Sequence, residues 1–335
     1  MKPETYLYNA SFTTESGVVL PRLEIAYHTF GKRNKDGDNV VWVCHALTAN
    51  SDAQDWWPGI IGKNALLDPD KYFIVCANIL GSCYGSSGPL SLNPETGKPY
   101  FYSFPFITIR DMVQAHILLR KYLGIEHIHL CMGGSMGGYQ VLEWALAEPS
   151  VFSKLFLIAT GAAESAWGIA IHTSQRLAIE ADHTWKDSST VAGAGGLKAA
   201  RAIGMLTYRN YKAFVESQND AEHILGTYRA ESYIHYQGEK LVKRFNTQSY
   251  HLLTRAMDSH HIGRGRGSLE KVLNTIMLPV LVVGISSDQL CPVEEQKFLA
   301  QHIPNAGYHE IDSPYGHDGF LIESEKLTVI LKAFI

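Results

Sequence analysis

The chain is poor in cysteine, in long apolar runs and in charge of either sign, and each shortage excludes something. Its five cysteines (Cys44, Cys76, Cys83, Cys131 and Cys291) are odd in number and form no Cys-x-x-Cys pair. That argues against a disulfide framework and for reduced thiols in a cytoplasmic protein, most of them serving as small buried hydrophobes. No Cys or His cluster has zinc-ligand spacing, so no metal is expected. No run approaches the roughly 20 apolar residues of a membrane span. Met1 to Thr13 lacks a basic start followed by an apolar core, so no signal peptide is expected, and the sequon Asn9-Ala10-Ser11 carries little meaning without one. With 29 Lys and Arg against 33 Asp and Glu, the net charge of −4 gives no general pull toward nucleic acid or membrane, and neither is expected as a partner.

What is present is an ordinary globular composition, 46% hydrophobic and 19% charged over 335 residues, enough for one large domain or a domain carrying an insertion. Val40–Cys44 and Tyr72–Ile79 are compact, β-branched and aromatic runs that predict buried strands. Thr108–Leu123 carries apolar residues at helical spacing. Strand-like Ile128–Leu130, a helix after Ser135 and strand-like Lys154–Ala159 follow. The alternation resumes with Pro279–Ile285 (strand), Pro292–His302 (helix), Tyr308–Ile311 (strand) and Gly319–Phe334 (helix). Strands separated by helices predict a mostly parallel α/β sheet flanked by helices. Between 162 and 267 the pattern is helical only, with Ile169–Ala181, Leu197–Tyr211 and Lys240–Met257 as candidates. Residues 1–161 and 268–335 are therefore expected to form the core domain, and 162–267 a helical lid inserted over its catalytic edge.

The stretch Cys131-Met132-Gly133-Gly134-Ser135-Met136-Gly137-Gly138 places Gly-x-Ser-x-Gly between a strand and a helix, the context of a nucleophile elbow. A serine hydroxyl is a weak nucleophile until a base takes its proton and a carboxylate orients that base. In chains of the α/β-hydrolase fold the order is serine, acid, histidine. Asp288 follows the strand Pro279–Ile285, and His317 follows the strand ending near Asp312, both at carboxyl ends of predicted strands. The expected triad is Ser135, Asp288 and His317. An acyl-transfer oxyanion needs preset N–H donors, each worth roughly 3 kcal/mol. Met136, after the nucleophile, and Leu47, in the loop after Val40–Cys44, are the expected pair. His45 in that loop reads as a structuring residue, since His317 fills the base position. Gly263-Arg264-Gly265-Arg266-Gly267 has no preceding strand and no phosphate-loop lysine, so it reads as a hinge closing the insertion, and His260-His261 lacks further ligands at metal spacing.

Taken together, these segments resemble the homoserine O-acetyltransferase family of the α/β-hydrolase superfamily. The resemblance is carried by His45-Ala46-Leu47-Thr48, Gly81-Ser82-Cys83-Tyr84-Gly85-Ser86-Ser87-Gly88-Pro89, Asn93-Pro94-Glu95-Thr96-Gly97-Lys98-Pro99-Tyr100, Thr108-Ile109-Arg110-Asp111-Met112-Val113, the elbow, and Tyr315-Gly316-His317-Asp318-Gly319-Phe320-Leu321. It implies acetyl transfer from acetyl-CoA, as co-substrate and without a further cofactor, through Ser135 to the hydroxyl of L-homoserine. It also implies that Arg201 and Tyr208, seven residues apart on a lid helix, and Asp318 help bind the amino acid; a guanidinium suits a carboxylate and an aspartate an ammonium group. A solvated helix face is the plainer reading of Arg201, and a helix cap that of Asp318. Succinyl-using relatives tend to carry arginine where this chain has Leu290, which favours acetyl as the donor group. The resemblance further implies a homodimer formed through the lids. Ala49-Asn50, Asn246 and His261 depart from the family's usual residues, and the segment around Asp187–Gly196 is short. A serine O-acetyltransferase, a homoserine O-succinyltransferase and a same-fold esterase or thioesterase are the alternatives.

Overall fold

The computed structural model describes residues 2–222 and 224–335. Its strands are β1 (Glu4–Tyr8), β2 (Phe12–Thr13), β3 (Val19–Leu20), β4 (Leu23–Phe30), β5 (Val40–Cys44), β6 (Phe73–Ala77), β7 (Ile128–Gly134), β8 (Phe152–Ile158), β9 (Val280–Ile285) and β10 (Ala306–Ile311). β2 and β3 form a small ribbon, and the other eight make one sheet in the order β1-β4-β6-β5-β7-β8-β9-β10. The β1–β4 and β4–β6 pairings are antiparallel, and every pairing from β6 to β10 is parallel. The mostly parallel sheet is the one expected. Its antiparallel edge is not legible in the sequence, because β1 is an edge strand in which only Tyr6 and Tyr8 are half-buried against the core.

Side chains alternate across the sheet and build a core on each face. Val40, Trp42 and Cys44 of β5 belong to one core, Val41 and Val43 to the other. Ahead of β8 come α1 (Ala53–Trp56), α2 (Ile109–Tyr122) and α3 (Met136–Ala147). Helices α2 and α3 cover the first face, where Trp42 and Trp144 meet edge-on at 4.9 Å. Helix α2 begins at Thr108, whose hydroxyl accepts from the Asp111 N–H while the Asp111 carboxylate accepts from the Thr108 N–H, and it ends with Arg120 and Lys121 in its last turn.

Residues 162–267 hold α4 (Ala166–Glu180), α5 (Ala194–Tyr208), α6 (Tyr211–Gln218), α7 (Arg229–Val242) and α8 (Thr247–Asp258). The single helix expected over Lys240–Met257 is two, because Asn246 caps α8 by accepting from the Ser249 N–H. Likewise Asn210 caps α6 and separates it from α5, where one helix was expected through Tyr211. The chain then forms α9 (Leu269–Leu273), α10 (Val293–His302), α11 (Gly319–Ile322) and α12 (Ser324–Lys332), so the final expected helix is broken at Glu323.

The two ends of the insertion are tied together: the Ile262 N–H donates to Ala162 O (3.0 Å) and the Glu164 N–H to His260 O (2.9 Å). Gly263–Gly267 is not a free hinge. Arg266 and Arg110 both pair with the buried Glu143 at 2.6 and 3.2 Å, and Arg264 pairs with Glu15 at 2.8 Å. The arginines of the expected hinge instead staple the base of the insertion to the core.

Candidate active site

Ser135 sits at the turn from β7 into α3 with φ 54° and ψ −128°, a conformation non-glycine residues rarely adopt. The turn is locked by the Ser135 N–H donating to Ile158 O (3.0 Å) and by Thr160 Oγ1 donating to Ser135 O (2.9 Å). Its flanking glycines answer to space. A Cβ on Gly133 would lie 2.4 Å from Gly137 C, and one on Gly137 would lie 2.2 Å from Cys44 O. Backbones this close tolerate no side chain, so the elbow can form only with glycine at both positions.

Asp288 follows β9 and His317 follows β10, both buried. His317 Nδ1 and Asp288 Oδ2 are 2.7 Å apart. A carboxylate only accepts, so the proton rests on Nδ1 and leaves Nε2 free as a base. The other oxygen, Asp288 Oδ1, accepts the N–H groups of Leu290 (2.8 Å) and Cys291 (2.9 Å), which fixes the carboxylate in one orientation. Burial alone would disfavour the charged imidazole. The Asp288 charge and hydrogen bond outweigh it and hold the His317 pKa above its ordinary value. Cys291 Sγ also approaches this pair, and burial together with the nearby Asp288 charge pushes its thiol well above the ordinary value.

The expected oxyanion donors come from two segments held at a fixed spacing. Met136 is the first residue of α3, where an N–H has no carbonyl one turn earlier to bind. Leu47 lies in the loop after β5. Gln140, fully buried on α3, donates from Nε2 to both His45 O (3.1 Å) and Met136 O (3.0 Å), tying the loop to the helix. Its Oε1 is held by His116 Nε2 at 2.9 Å. Burial lowers the His116 pKa to about 4, so the ring is neutral at pH 7. His45 is likewise buried, its pKa lowered to about 4; its ring contacts Ala46 O through Nδ1 (3.0 Å) and accepts the Ile79 N–H at Nε2 (3.1 Å). Both ring nitrogens being engaged, His45 structures the loop. Gln140 and His116 carry no sequence signal beyond a helical register and were not expected.

Ser135, His317, Leu47, Arg201, Tyr208 and Asp318 all line one cavity of about 410 Å³ between the core and the insertion. Leu290 lines it too and packs with Ile171, Ile203 and Tyr208. Arg201 makes no ion pair among the described residues, and its buried Nε has no hydrogen-bond partner. Its guanidinium lies 5.3 Å from the centre of the Tyr208 ring, and that ring lies 6.0 Å from the ring of His317. An unpaired guanidinium at an internal cavity wall is set to receive an anion. Asp318 faces the same cavity and is paired with Arg209 Nε at 3.2 Å, a partner the sequence did not announce. Burial pushes the Asp318 carboxyl up, and Arg209 opposes that shift. Near Asp288 stand two partly buried acids: Glu164 accepts from Tyr139 Oη (3.1 Å), and desolvation together with the charges of Glu164 and Asp288 pushes Glu295 up to about 7.

A model of the alpha/beta hydrolase fold matches residues 39–324. The homoserine O-acetyltransferase of Cyclobacterium marinum is 46% identical over 334 residues, covering 100% of this chain and 95% of the relative. That of Chlorobium chlorochromatii is 45% identical over 345 residues, covering 100% and 96%. Among solved structures, the homoserine O-acetyltransferase of Bacillus anthracis matches with a TM-score of 0.88 at 24% identity, over 98% of this chain and 96% of that one. Esterase E22 matches equally well in shape, TM-score 0.88 at 22% identity over 99% of both chains, so this likeness speaks for the fold alone.

Proposed function

The chain belongs to the homoserine O-acetyltransferase family of the α/β-hydrolase fold and is an acyltransferase; from that premise we propose that Ser135 carries an acetyl group from acetyl-CoA to the hydroxyl of L-homoserine, giving O-acetyl-L-homoserine and CoA. The observation that carries the reading is one cavity in which an elbow serine, an Asp288-oriented histidine and an unpaired guanidinium meet.

In the first half-reaction Ser135 Oγ attacks the thioester carbonyl while His317 Nε2 takes its proton. The Leu47 and Met136 N–H groups receive the developing oxyanion. Collapse breaks the C–S bond, and the proton on His317 goes to the departing thiolate. In the second, Arg201 and Tyr208 hold the acceptor's carboxylate and Asp318 its ammonium group. His317 then takes the hydroxyl proton as that oxygen attacks the acetyl-serine, and returns it to Ser135 Oγ. No cofactor beyond the co-substrate is needed. Leu290 offers nothing to a second carboxylate, which favours acetyl over succinyl as the transferred group. The insertion narrows access to the acyl-enzyme, and keeping water out protects it from hydrolysis.

We also read the protein as cytoplasmic, where acetyl-CoA is made and all five cysteines remain free thiols; among the described residues no helix is long and apolar enough to cross a membrane. Apolar side chains exposed on the insertion, Leu225 at 94%, Tyr211 at 77% and Val191 at 70%, favour a homodimer formed there.

The test is a kinetic matrix of acetyl-CoA and succinyl-CoA against homoserine, serine and water, run on the wild type and Ser135→Ala. Parallel-line kinetics with acetyl-CoA and homoserine, and no acetyl-enzyme in Ser135→Ala, are expected. CoA release that does not depend on homoserine would identify a thioesterase instead.

A further inference from the structure

Arg244 lies in the short link between α7 and α8, far from the triad in sequence, yet it reaches the loop that carries Leu47. Its Nη1 donates to Thr48 O (2.5 Å) and to Tyr84 Oη (3.1 Å), and its Nη2 donates to Thr48 Oγ1 (3.3 Å). Thr48 has φ +64°, a left-handed conformation that costs a β-branched residue energy and persists only when its surroundings impose it. The base of Arg244 is anchored, because the next residue, Phe245, is buried and meets the Tyr84 ring edge-on at 5.6 Å. Tyr84 is anchored in turn: its carbonyl accepts from Asn78 Nδ2 (2.8 Å), and Asn78 Oδ1 accepts from the Ser51 N–H (2.8 Å). A clamp built from the insertion thus grips the residue next to the expected oxyanion donor.

We propose that Arg244 is a positioning residue through which the helical insertion sets the oxyanion hole: it holds Thr48 in its strained conformation and so keeps the Leu47 N–H aimed at the oxyanion. The inference rests on the reading of Leu47 as a donor to a Ser135 acyl intermediate. It makes the reactivity of Ser135 depend on the insertion being seated, so the serine is fully active only beneath the helices that hold the acceptor site. Arg244 is exposed, so these bonds add little to stability, and their effect is on geometry.

Arg244 and Lys240, four residues apart, both line the cavity, and a simpler role would be to bind the phosphates of acetyl-CoA. The two roles separate with p-nitrophenyl acetate, a donor that has no phosphate. In the full-length protein, Arg244→Gln is expected to slow acylation by about 10- to 100-fold with both donors, less than the loss of a whole oxyanion donor, with KM for p-nitrophenyl acetate little changed. Arg244→Lys keeps the charge but loses the planar fork, and should not restore the rate. Adding Thr48→Asn, which favours the left-handed conformation by itself, should recover part of the rate in the Arg244→Gln protein. An Arg244→Gln enzyme that reacts with p-nitrophenyl acetate at the wild-type rate overturns the proposal, and a loss confined to KM for acetyl-CoA assigns Arg244 to the phosphates instead. The underlying reading fails by a different sign: a p-nitrophenol burst that survives Ser135→Ala.

Discussion

Replacing Asp288 by asparagine isolates what the carboxylate does. In the structure Oδ1 accepts two backbone N–H groups, from Leu290 and Cys291, while Oδ2 faces His317 Nδ1 at 2.7 Å. An asparagine must keep its oxygen toward the two N–H donors, because turning the amide would set its NH₂ against both. The NH₂ therefore faces His317 Nδ1. A donor there can be met only if Nδ1 gives up its proton, which moves the proton to Nε2 and leaves no lone pair to take the proton of Ser135. Shape and packing are preserved, but the base is in the wrong tautomer. The expected loss is about 10⁴-fold in kcat, or roughly 5 kcal/mol of transition-state stabilisation at about 1.36 kcal/mol per tenfold. The pH profile carries a second signature. Asp288 raises the pKa of His317, and the reaction needs the neutral base, so wild-type kcat/KM should rise with pH through that raised value. In Asp288→Asn the residual activity should have its acidic limb at lower pH. Stopped-flow release of CoA thiol over a pH series gives both numbers. A variant within tenfold of wild type, or an acidic limb that stays in place, would refute the orientation argument.

Arg201→Gln should raise KM for homoserine by about 10- to 100-fold, the worth of a charge-assisted hydrogen bond of roughly 1.5–3 kcal/mol, while single-turnover acylation by acetyl-CoA stays within about twofold. Equal damage to both half-reactions would rule out a carboxylate contact. Glu295 has a folded pKa of about 7 against an ordinary 4.5, so the folded state binds more protons than the unfolded chain between those values. Its contribution to stability is therefore present at low pH and falls as pH rises through that window, on the order of 1–3 kcal/mol in all. Glu295→Gln should accordingly raise Tm at pH 8 and leave it nearly unchanged at pH 4.5; a higher wild-type Tm at pH 8 would contradict the linkage.

The parts of the fold legible in the sequence are those with strong local patterns. The buried strands β5, β6 and β9 are continuous apolar runs, and α2 is announced by apolar residues at helical spacing after Thr108. The elbow is legible because close backbone contact at Gly133 and Gly137 leaves no alternative residue. What stayed illegible depends on tertiary contact. β1 is an edge strand whose pairing with β4 was not announced by either sequence, and the split between α7 and α8 turns on a single cap, Asn246. Gly263–Gly267 reads as a hinge until the partners of Arg264 and Arg266, Glu15 and Glu143, distant in sequence, are seen beside them. Gln140 and His116 could not be singled out, because nothing local separates a glutamine that ties a loop to its helix from one that faces solvent.

The elbow, the Asp288–His317 pair and the oxyanion segments are what any serine acyl enzyme of this fold needs, so they do not decide whether water or an amino acid receives the acyl group. That decision falls to the insertion. Arg201 and Tyr208 come from one helix of it, and the Tyr208 ring lies both against the guanidinium (5.3 Å) and beside His317 (6.0 Å). One side chain thus links the guanidinium proposed to hold a carboxylate to the histidine proposed to take the acceptor's proton. On that proposal the span between them would act as a ruler: only an acceptor whose hydroxyl lies at the matching distance from its carboxylate would be anchored and deprotonated at once. A missing methylene costs a pocket only roughly 1–3 kcal/mol of binding, whereas misplacing a reacting oxygen by about an ångström can cost on the order of 10²-fold in rate. Discrimination between homoserine and serine should therefore reside in kcat more than in KM.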